Sequence, residues 1–240
     1  MHVRAVICLP TYNERENLEA TLRELERVLE TGDRVVVIDD GSPDGTGELA
    51  DRLAAELPFV AVLHRAEKQG LGPAYLAGFR HALAGGAELV FEMDCDRSHD
   101  PSDVPRLRAA AQQADLVLGS RYVEGGAIRN WGLVRRVVSA GGSLYARLVL
   151  GVPVRDLTGG FKCYRRGVLE HIDLDAVRSR GYAFQIETTY RALRAGFRVV
   201  EVPITFVDRE VGGSKMSRAI VLEAIWKVPA LRLRALRGTL

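Results

Sequence analysis

At 240 residues and 47% hydrophobic composition, the chain can bury one full core, and it shows no repeat, low-complexity segment or linker that would divide it into domains. A formal net charge of +2 gives no global basis for binding nucleic acid. The three cysteines, Cys8, Cys95 and Cys163, are odd in number, far apart and without CxxC spacing, which argues for a reducing compartment and against a zinc site.

In chain order, Val3–Leu9 reads as a buried strand. Leu18, Leu22, Leu25 and Leu29 follow at helical spacing, stopped by Thr31-Gly32. Val35–Ile38 is a continuous apolar run, as expected of a central parallel strand. Asp39–Thr46 is turn chemistry, with a helix from there to about Leu57 and a third strand at Val60–Leu63. Ala74–Leu83 reads as helix, Leu89–Met93 as strand, Val104–Gln113 as helix and Leu116–Leu118 as strand. In the less regular second half, Val134–Leu150 reads as helix, with Leu144, Leu148 and Val149 on one side. Asp156–Phe161 is a loop running into a short strand, Gln185–Ala195 a helix, and Val199–Val207 extended but interrupted by Pro203. The alternation predicts one α/β domain, Rossmann-like, with a mostly parallel central sheet and helices on both faces.

In such sheets ligands bind beyond the carboxyl ends of the strands. Four polar clusters fall there: Pro10–Glu14, Asp39–Asp44, Asp94–Asp96 and Gly119–Tyr122. The sharpest is Asp94-Cys95-Asp96. Carboxylates at i and i+2 of an extended segment share a face. They repel unless a counter-charge is supplied, and a hard divalent cation such as Mg²⁺, held by one or two carboxylates plus substrate phosphates, supplies it. A plain solvated loop is the alternative. The turn after the first strand lacks Gly-x-Gly-x-x-Gly, Gly70-Leu71-Gly72 lacks a third glycine, and no phosphate loop is present, so nicotinamide and P-loop nucleotide readings fall. A nucleotide could still be held by side chains: Tyr12 offers a ring face, and Glu14 and Asp40 offer acceptors. A helix-capping role is the alternative for Tyr12 and Glu14.

The series Leu9-Pro10-Thr11-Tyr12-Asn13-Glu14, Ile38–Thr46, Met93-Asp94-Cys95-Asp96-Arg97-Ser98-His99, Gly119-Ser120-Arg121-Tyr122, Asp156–Phe161, Asp208-Arg209 and Gly213-Ser214-Lys215 covers nearly the whole chain in order. It resembles the family 2 glycosyltransferases of the GT-A fold, and within them the polyprenol-phosphate (dolichyl-phosphate) mannose synthases. Cys95, usually alanine, and Arg97, usually small or apolar, depart from the pattern. The resemblance implies inverting transfer from GDP-mannose to a polyprenyl or dolichyl monophosphate, with Mg²⁺ or Mn²⁺ on Asp94 and Asp96. It implies nucleotide-sugar contacts by Pro10, Tyr12, Glu14, Ile38, Asp40, Asp94, Cys95 (through backbone), Asp96, Arg121, Arg209 and Lys215. Arg121, Arg135 and Ser139 would meet the acceptor phosphate, and Asp96 and Arg121 would be catalytic.

The chemistry agrees. A phosphate monoester, with a second pKa of about 6, is already anionic and needs no general base. What is needed is charge neutralisation and alignment, for which arginines suit. His99 is therefore read as a polar loop residue. Arg135 and Ser139 lie one helical turn apart and can face one anion, although Arg135-Arg136 also reads as a solvated face. Alternatives are a UDP-glucose-dependent relative and a catalytically silent nucleotide-sugar-binding subunit. A processive polysaccharide synthase is disfavoured, because its Gln-x-x-Arg-Trp motif is absent.

The segment 214–240 carries +5, leaving −3 on the rest. It contains an apolar stripe of Ile220, Val221, Ala224, Ile225 and Val228 beside Trp226, with Ser217 as N-cap and Pro229 ending the run. It reads either as a core-packed helix or as an interfacial helix on an acidic membrane surface. With no membrane-span-length apolar run and no signal-peptide pattern, the expectation is a cytoplasmic protein, peripheral on the cytoplasmic membrane face or docked on a membrane subunit.

Overall fold

The computed structural model describes residues 4–177, 179, 181–208 and 218–240, without the side chains of residue 182 and of 218–224. Arg209, Lys215 and Ser217, together with the side chains of Ile220, Val221 and Ala224, therefore lie outside the described residues.

The apolar runs form the strands β1 (Ala5–Thr11), β2 (Arg34–Asp39), β3 (Val60–His64), β4 (Leu89–Glu92), β5 (Leu116–Ser120), β6 (Ala127–Arg129), β7 (Lys162–Arg165), β8 (Val199–Pro203) and β9 (Thr205–Val207). Among the described residues, seven of these make one sheet in the order β3-β2-β1-β4-β7-β5-β8, while β6 and β9 form a small parallel pair. The main sheet is parallel except for β7, which runs antiparallel between β4 and β5. The helices are α1 (Arg15–Glu26), α2 (Thr46–Glu56), α3 (Leu71–Ala84), α4 (Val104–Ala110), α5 (Leu133–Leu150), α6 (Arg166–His171), α7 (Gly181–Arg194) and α8 (Arg218–Leu236).

Strand alternation sorts the core into two layers. Ile7, Leu9, Val35, Val37 and Phe91 face Leu18, Leu22, Leu53 and Leu107 of α1, α2 and α4. Val6, Cys8, Val36, Ile38 and Val90 face Phe79, Ala146, Phe184 and Val228 of α3, α5, α7 and α8. Helix α3 sits close to the sheet through Gly78, where a Cβ would lie 2.7 Å from Ile38 Cδ1 and 3.0 Å from Cys8 Sγ. All three cysteines are buried, and burial pushes each thiol up.

Several expected boundaries shift. Helix α1 ends at Glu26, not Thr31, because the Asp33 carboxylate takes the backbone N–H groups of Glu30 and Ala5, each at 2.9 Å. A 3₁₀ turn at Pro101–Asp103 precedes α4, which stops at Ala110. Pro229 does not end α8. It removes the N–H that would bond Ile225 O, and the Tyr145 hydroxyl of α5 donates to that carbonyl at 2.8 Å instead. The core-packed reading holds for one flank of this helix: Val228, Leu231 and Ala235 enter the core, while Ile225, Trp226, Leu233 and Leu236 are exposed. Its positive charge is partly committed, since Arg232 donates to Leu150 O and Arg234 to Thr239 O.

Candidate active site

The polar clusters collect at the carboxyl ends of β1, β2, β4 and β5. Beyond β1, Tyr12 is half-buried with Lys68 Nζ 3.9 Å from its ring centroid, a cation–π contact. Asn13 turns the chain with φ 56°. Glu14 is the residue preceding α1, as a capping role requires, and its backbone carbonyl accepts from Asn17 and Leu18 N–H. Its carboxylate does not cap the helix backbone; it accepts from Asn17 Nδ2 at 2.9 Å and stays buried. Pro10 and Ile38 are register partners on β1 and β2. Asp40 is buried and paired with Arg65, which also donates to Gln69 Oε1 at 2.9 Å. Burial outweighs Arg65 and raises the Asp40 carboxyl above its ordinary value. Arg65 and Lys68 bring positive charge to this rim. The sequence signal for them was the charged run after β3, Arg65-Ala66-Glu67-Lys68.

At the end of β4, Cys95 turns into the core layer of α1, and its carbonyl is 3.5 Å from Thr21 Oγ1. Asp94 lies toward α3, where Tyr75 donates to its Oδ1 at 2.9 Å. Asp96 Oδ1 accepts from Ser98 Oγ at 2.5 Å and from Ser98 N at 3.1 Å. The loop is thus held from inside and is not a plain solvated one. Arg97 adopts φ 61° and reaches Glu24 at 3.3 Å. His99 is a loop residue as expected, and a buried one: it stacks on Phe161 at 5.0 Å, and its Nδ1 accepts the Asp94 N–H at 3.1 Å. Desolvation lowers its pKa, keeping the ring neutral as that hydrogen bond requires. Among the described residues no group of three His, Cys, Asp or Glu side chains could hold a metal. Two carboxylates suit a hard cation that completes its shell with diphosphate oxygens and water.

Arg121, at the end of β5, is buried. Its Nε and Nη2 fork onto Asp156 at 2.7 Å each, Nη2 also reaches Thr158 at 2.8 Å, and its N–H meets Asp156 Oδ2 at 3.0 Å. The guanidinium holds the Asp156 carboxyl below its ordinary range despite burial. The rings of Tyr122, Trp131 and Phe206 surround it at 5.2, 5.6 and 5.3 Å.

On α5, Arg135 pairs with Asp208 at 2.5 Å and lies 4.3 Å from the Trp131 centroid, while Ser139 accepts from the Tyr122 hydroxyl at 2.8 Å. Both therefore face the site, whereas exposed Arg136 donates to Ile128 O. A cleft of ≈ 470 Å³ opens between the Arg97–His99 loop, Glu24, Arg129 and Asp208. The opposite face of α5 is apolar and open: Leu133 is 77% exposed and Val134 78%, with Val137, Leu144 and Leu148 continuing the strip. Of the side that the spacing picked out, Leu144 and Leu148 face outward, while Val149 packs against the core.

Beneath the loop, Glu92 of β4 faces Lys162 of β7 in register, both fully buried. Burial pulls the Lys162 ammonium down to about 8 and raises the Glu92 carboxyl, each offset by the other's charge.

A mostly parallel α/β sheet, with a two-carboxylate loop and an arginine-rich rim at the carboxyl ends of its strands, defines a GT-A glycosyltransferase. The glycosyl transferase family 2 model matches residues 6–173, and the chain belongs to that family. It is 52% identical over 233 residues to "Undecaprenyl-phosphate mannosyltransferase" of Micrococcus luteus, covering 97% of this chain and 96% of that one. It is 51% identical to "Polyprenol monophosphomannose synthase" of Mycolicibacterium smegmatis, covering 96% of this chain and 88% of that one. Among solved structures it resembles glucosyl-3-phosphoglycerate synthase from Mycobacterium tuberculosis, in complex with Mn²⁺, UDP-glucose and phosphoglyceric acid. The TM-score is 0.67 at 20% identity, covering 97% of this chain and 79% of that one.

Proposed function

We propose that this glycosyltransferase moves mannose from GDP-mannose to a polyprenyl or dolichyl monophosphate, with inversion at the anomeric carbon. The observation that carries the substrate assignment is the 52% identity, over nearly the whole chain, to an enzyme named for mannosyl transfer to undecaprenyl phosphate. The geometry supports it because two phosphorylated groups need cations and alignment but no base. The acceptor is anionic above its second pKa of about 6. The buried imidazole beside the carboxylates, His99, already uses Nδ1 to accept from Asp94 N–H.

In this reading Asp94 and Asp96 hold Mg²⁺ or Mn²⁺, which when bound offsets the charge growing on the departing diphosphate. Tyr12, Glu14 and Asp40 hold the nucleoside, with Pro10, Ile38 and the Cys95 backbone along it. Arg209 and Lys215, outside the described residues, are assigned to the donor by family resemblance. Arg135 and Ser139 take the acceptor phosphate in exchange for Asp208 and Tyr122. Arg121, fixed by Asp156, supplies positive charge between the substrates.

The exposed faces of α5 and α8 meet the membrane surface, so that the acceptor keeps its chain in the bilayer while its phosphate reaches Arg135. No helix of the described residues is long and apolar enough to cross a membrane. In this reading attachment is peripheral, on the cytoplasmic face or beside a membrane subunit. The test is a turnover assay with a polyprenyl phosphate and either GDP-mannose or UDP-glucose, with and without Mn²⁺. Transfer from GDP-mannose supports the reading; transfer from UDP-glucose alone overturns the donor, and no transfer from either overturns the activity.

A further inference from the structure

Gln185 on α7 is 2% exposed, and neither atom of its side-chain amide has a hydrogen-bond partner among the described residues. Buried polar atoms left unpaired are destabilising, so an orphaned amide is unusual. Its position is well anchored. The Gln185 carbonyl accepts from Lys162 Nζ at 2.9 Å and from Thr188 Oγ1 at 3.3 Å, and the Tyr164 hydroxyl lies 3.1 Å from Thr188 Oγ1 and 2.8 Å from Glu92 Oε1. The amide is near enough to Glu92 to favour its carboxylate, yet Glu92 Oε2 is itself unmatched.

On its other side lies Gly160. A Cβ there would sit 3.4 Å from Gln185 Nε2, 3.5 Å from Asp94 Oδ2 and 3.6 Å from His99 Cε1, all ordinary contact distances. The absent side chain thus leaves a niche between an orphaned amide and one carboxylate of the Asp94–Asp96 pair. Gly160 and Asp94, which border the niche, are both half-exposed, while the amide behind them is closed to solvent.

We propose that Gln185 is a donor-specificity residue, its amide hydrogen-bonding a hydroxyl of the transferred hexose over Gly160 and beside Asp94. An amide both donates and accepts, as a sugar hydroxyl does. Gly160 keeps the space into which that hydroxyl enters. Asp94 is also the carboxylate assigned to the diphosphate-bound cation, so the niche adjoins the phosphate-bearing end of the sugar. The inference rests on the chain being a sugar-nucleotide transferase and extends that reading to the sugar itself.

The test uses the full chain with Mn²⁺ and titration calorimetry. Gln185→Met keeps length and removes both polar atoms. It is expected to bind GDP within twofold of wild type and GDP-mannose about tenfold more weakly. Among singly deoxygenated GDP-mannose analogues, one should bind wild type about tenfold more weakly yet lose nothing further in Gln185→Met. The ligand-free variant should melt within 2 °C of wild type, because the amide's support of Glu92 falls short of a formed hydrogen bond. A fall of the melting temperature with sugar discrimination unchanged would show that the amide only supports Glu92, and overturns the inference. Equal losses for GDP and GDP-mannose, or wild-type behaviour toward every analogue, overturn it as well. If Gln185→Met does not fold, Gly160→Ala fills the niche at ordinary contact distances and is expected to keep GDP while losing the sugar. Should wild type retain UDP-glucose instead of GDP-mannose, the donor reading fails, and the same comparison with UDP, UDP-glucose and its deoxy analogues still decides the role of Gln185.

Discussion

Asp156→Asn isolates the most committed ion pair in the site. In wild type the two carboxylate oxygens accept three N–H groups of Arg121, and Thr158 Oγ1 lies 3.4 Å from Oδ1. An asparagine amide can satisfy only one side of this fork. Turned one way, its NH₂ faces Arg121 Nη2; turned the other, it faces both Nε and the backbone N–H. Either way a buried guanidinium loses its counter-charge, which costs about 3–5 kcal/mol. At about 2–4 °C per kcal/mol for a chain of this size, the melting temperature should fall by roughly 6–20 °C. Circular-dichroism melts at pH 7 measure this, with urea titration as a second readout. The sign with pH follows from the lowered Asp156 pKa. The stabilisation is fully present above the unfolded value of 3.8 and is lost as pH falls through the still lower folded value. The gap between wild type and variant should therefore be constant from pH 5 to 8 and close only in strong acid. The double variant Arg121→Met/Asp156→Leu removes both charges and should recover most of the stability, but not transfer. A melting temperature for Asp156→Asn within 2 °C of wild type would refute the buried-pair argument. Transfer by the double variant would refute the role given to Arg121.

Asp96→Asn should abolish transfer with melting little changed, and EDTA should do the same to wild type; activity that survives EDTA would sink the metal assignment. Arg135→Ala and Ser139→Ala should raise KM for the lipid phosphate by more than for the sugar nucleotide, and equal effects in steady-state kinetics would count against acceptor-side placement. Leu133→Ser/Val134→Ser/Val137→Ser should weaken sedimentation with anionic vesicles about 100-fold, from some 3 kcal/mol of lost apolar contact, while leaving GDP binding intact. Vesicle binding unchanged by the triple substitution would move the membrane contact away from α5.

The strands and their polar ends were legible because continuous apolar runs and turn residues are local signals. Asp94-Cys95-Asp96 was legible as a polar break after an apolar run, but β4 ends at Glu92 and the chain bends at Cys95, so strand alternation does not set where the two carboxylates point. What the sequence hid depends on partners far away in the chain. That α8 runs through Pro229 depends on Tyr145, 80 residues earlier. The burial of the loop residue His99 depends on Phe161, 62 positions later in the chain. β7 carries no sign of its antiparallel direction, and the pairing of Lys162 with Glu92 follows only once that strand is inserted. The sequence offers no local sign that Asp156 holds Arg121 and Asp208 holds Arg135. The Ile225–Val228 stripe was split because α8 buries one flank and exposes the other. Removing residues 230–240 would consequently take Leu231 and Ala235 out of the core as well as stripping charge.

The deep burial of the three thiols makes the chain convenient for spectroscopy. Thiolates, not thiols, react with maleimides and iodoacetamides, and Cys8, Cys95 and Cys163 are both shielded and held protonated. A single cysteine placed at exposed Leu148 or Trp226 would be the one accessible thiol on the folded protein. A fluorophore or spin label could be attached there without first rebuilding the core, and its quenching by lipid-borne quenchers would read the depth of each helix directly.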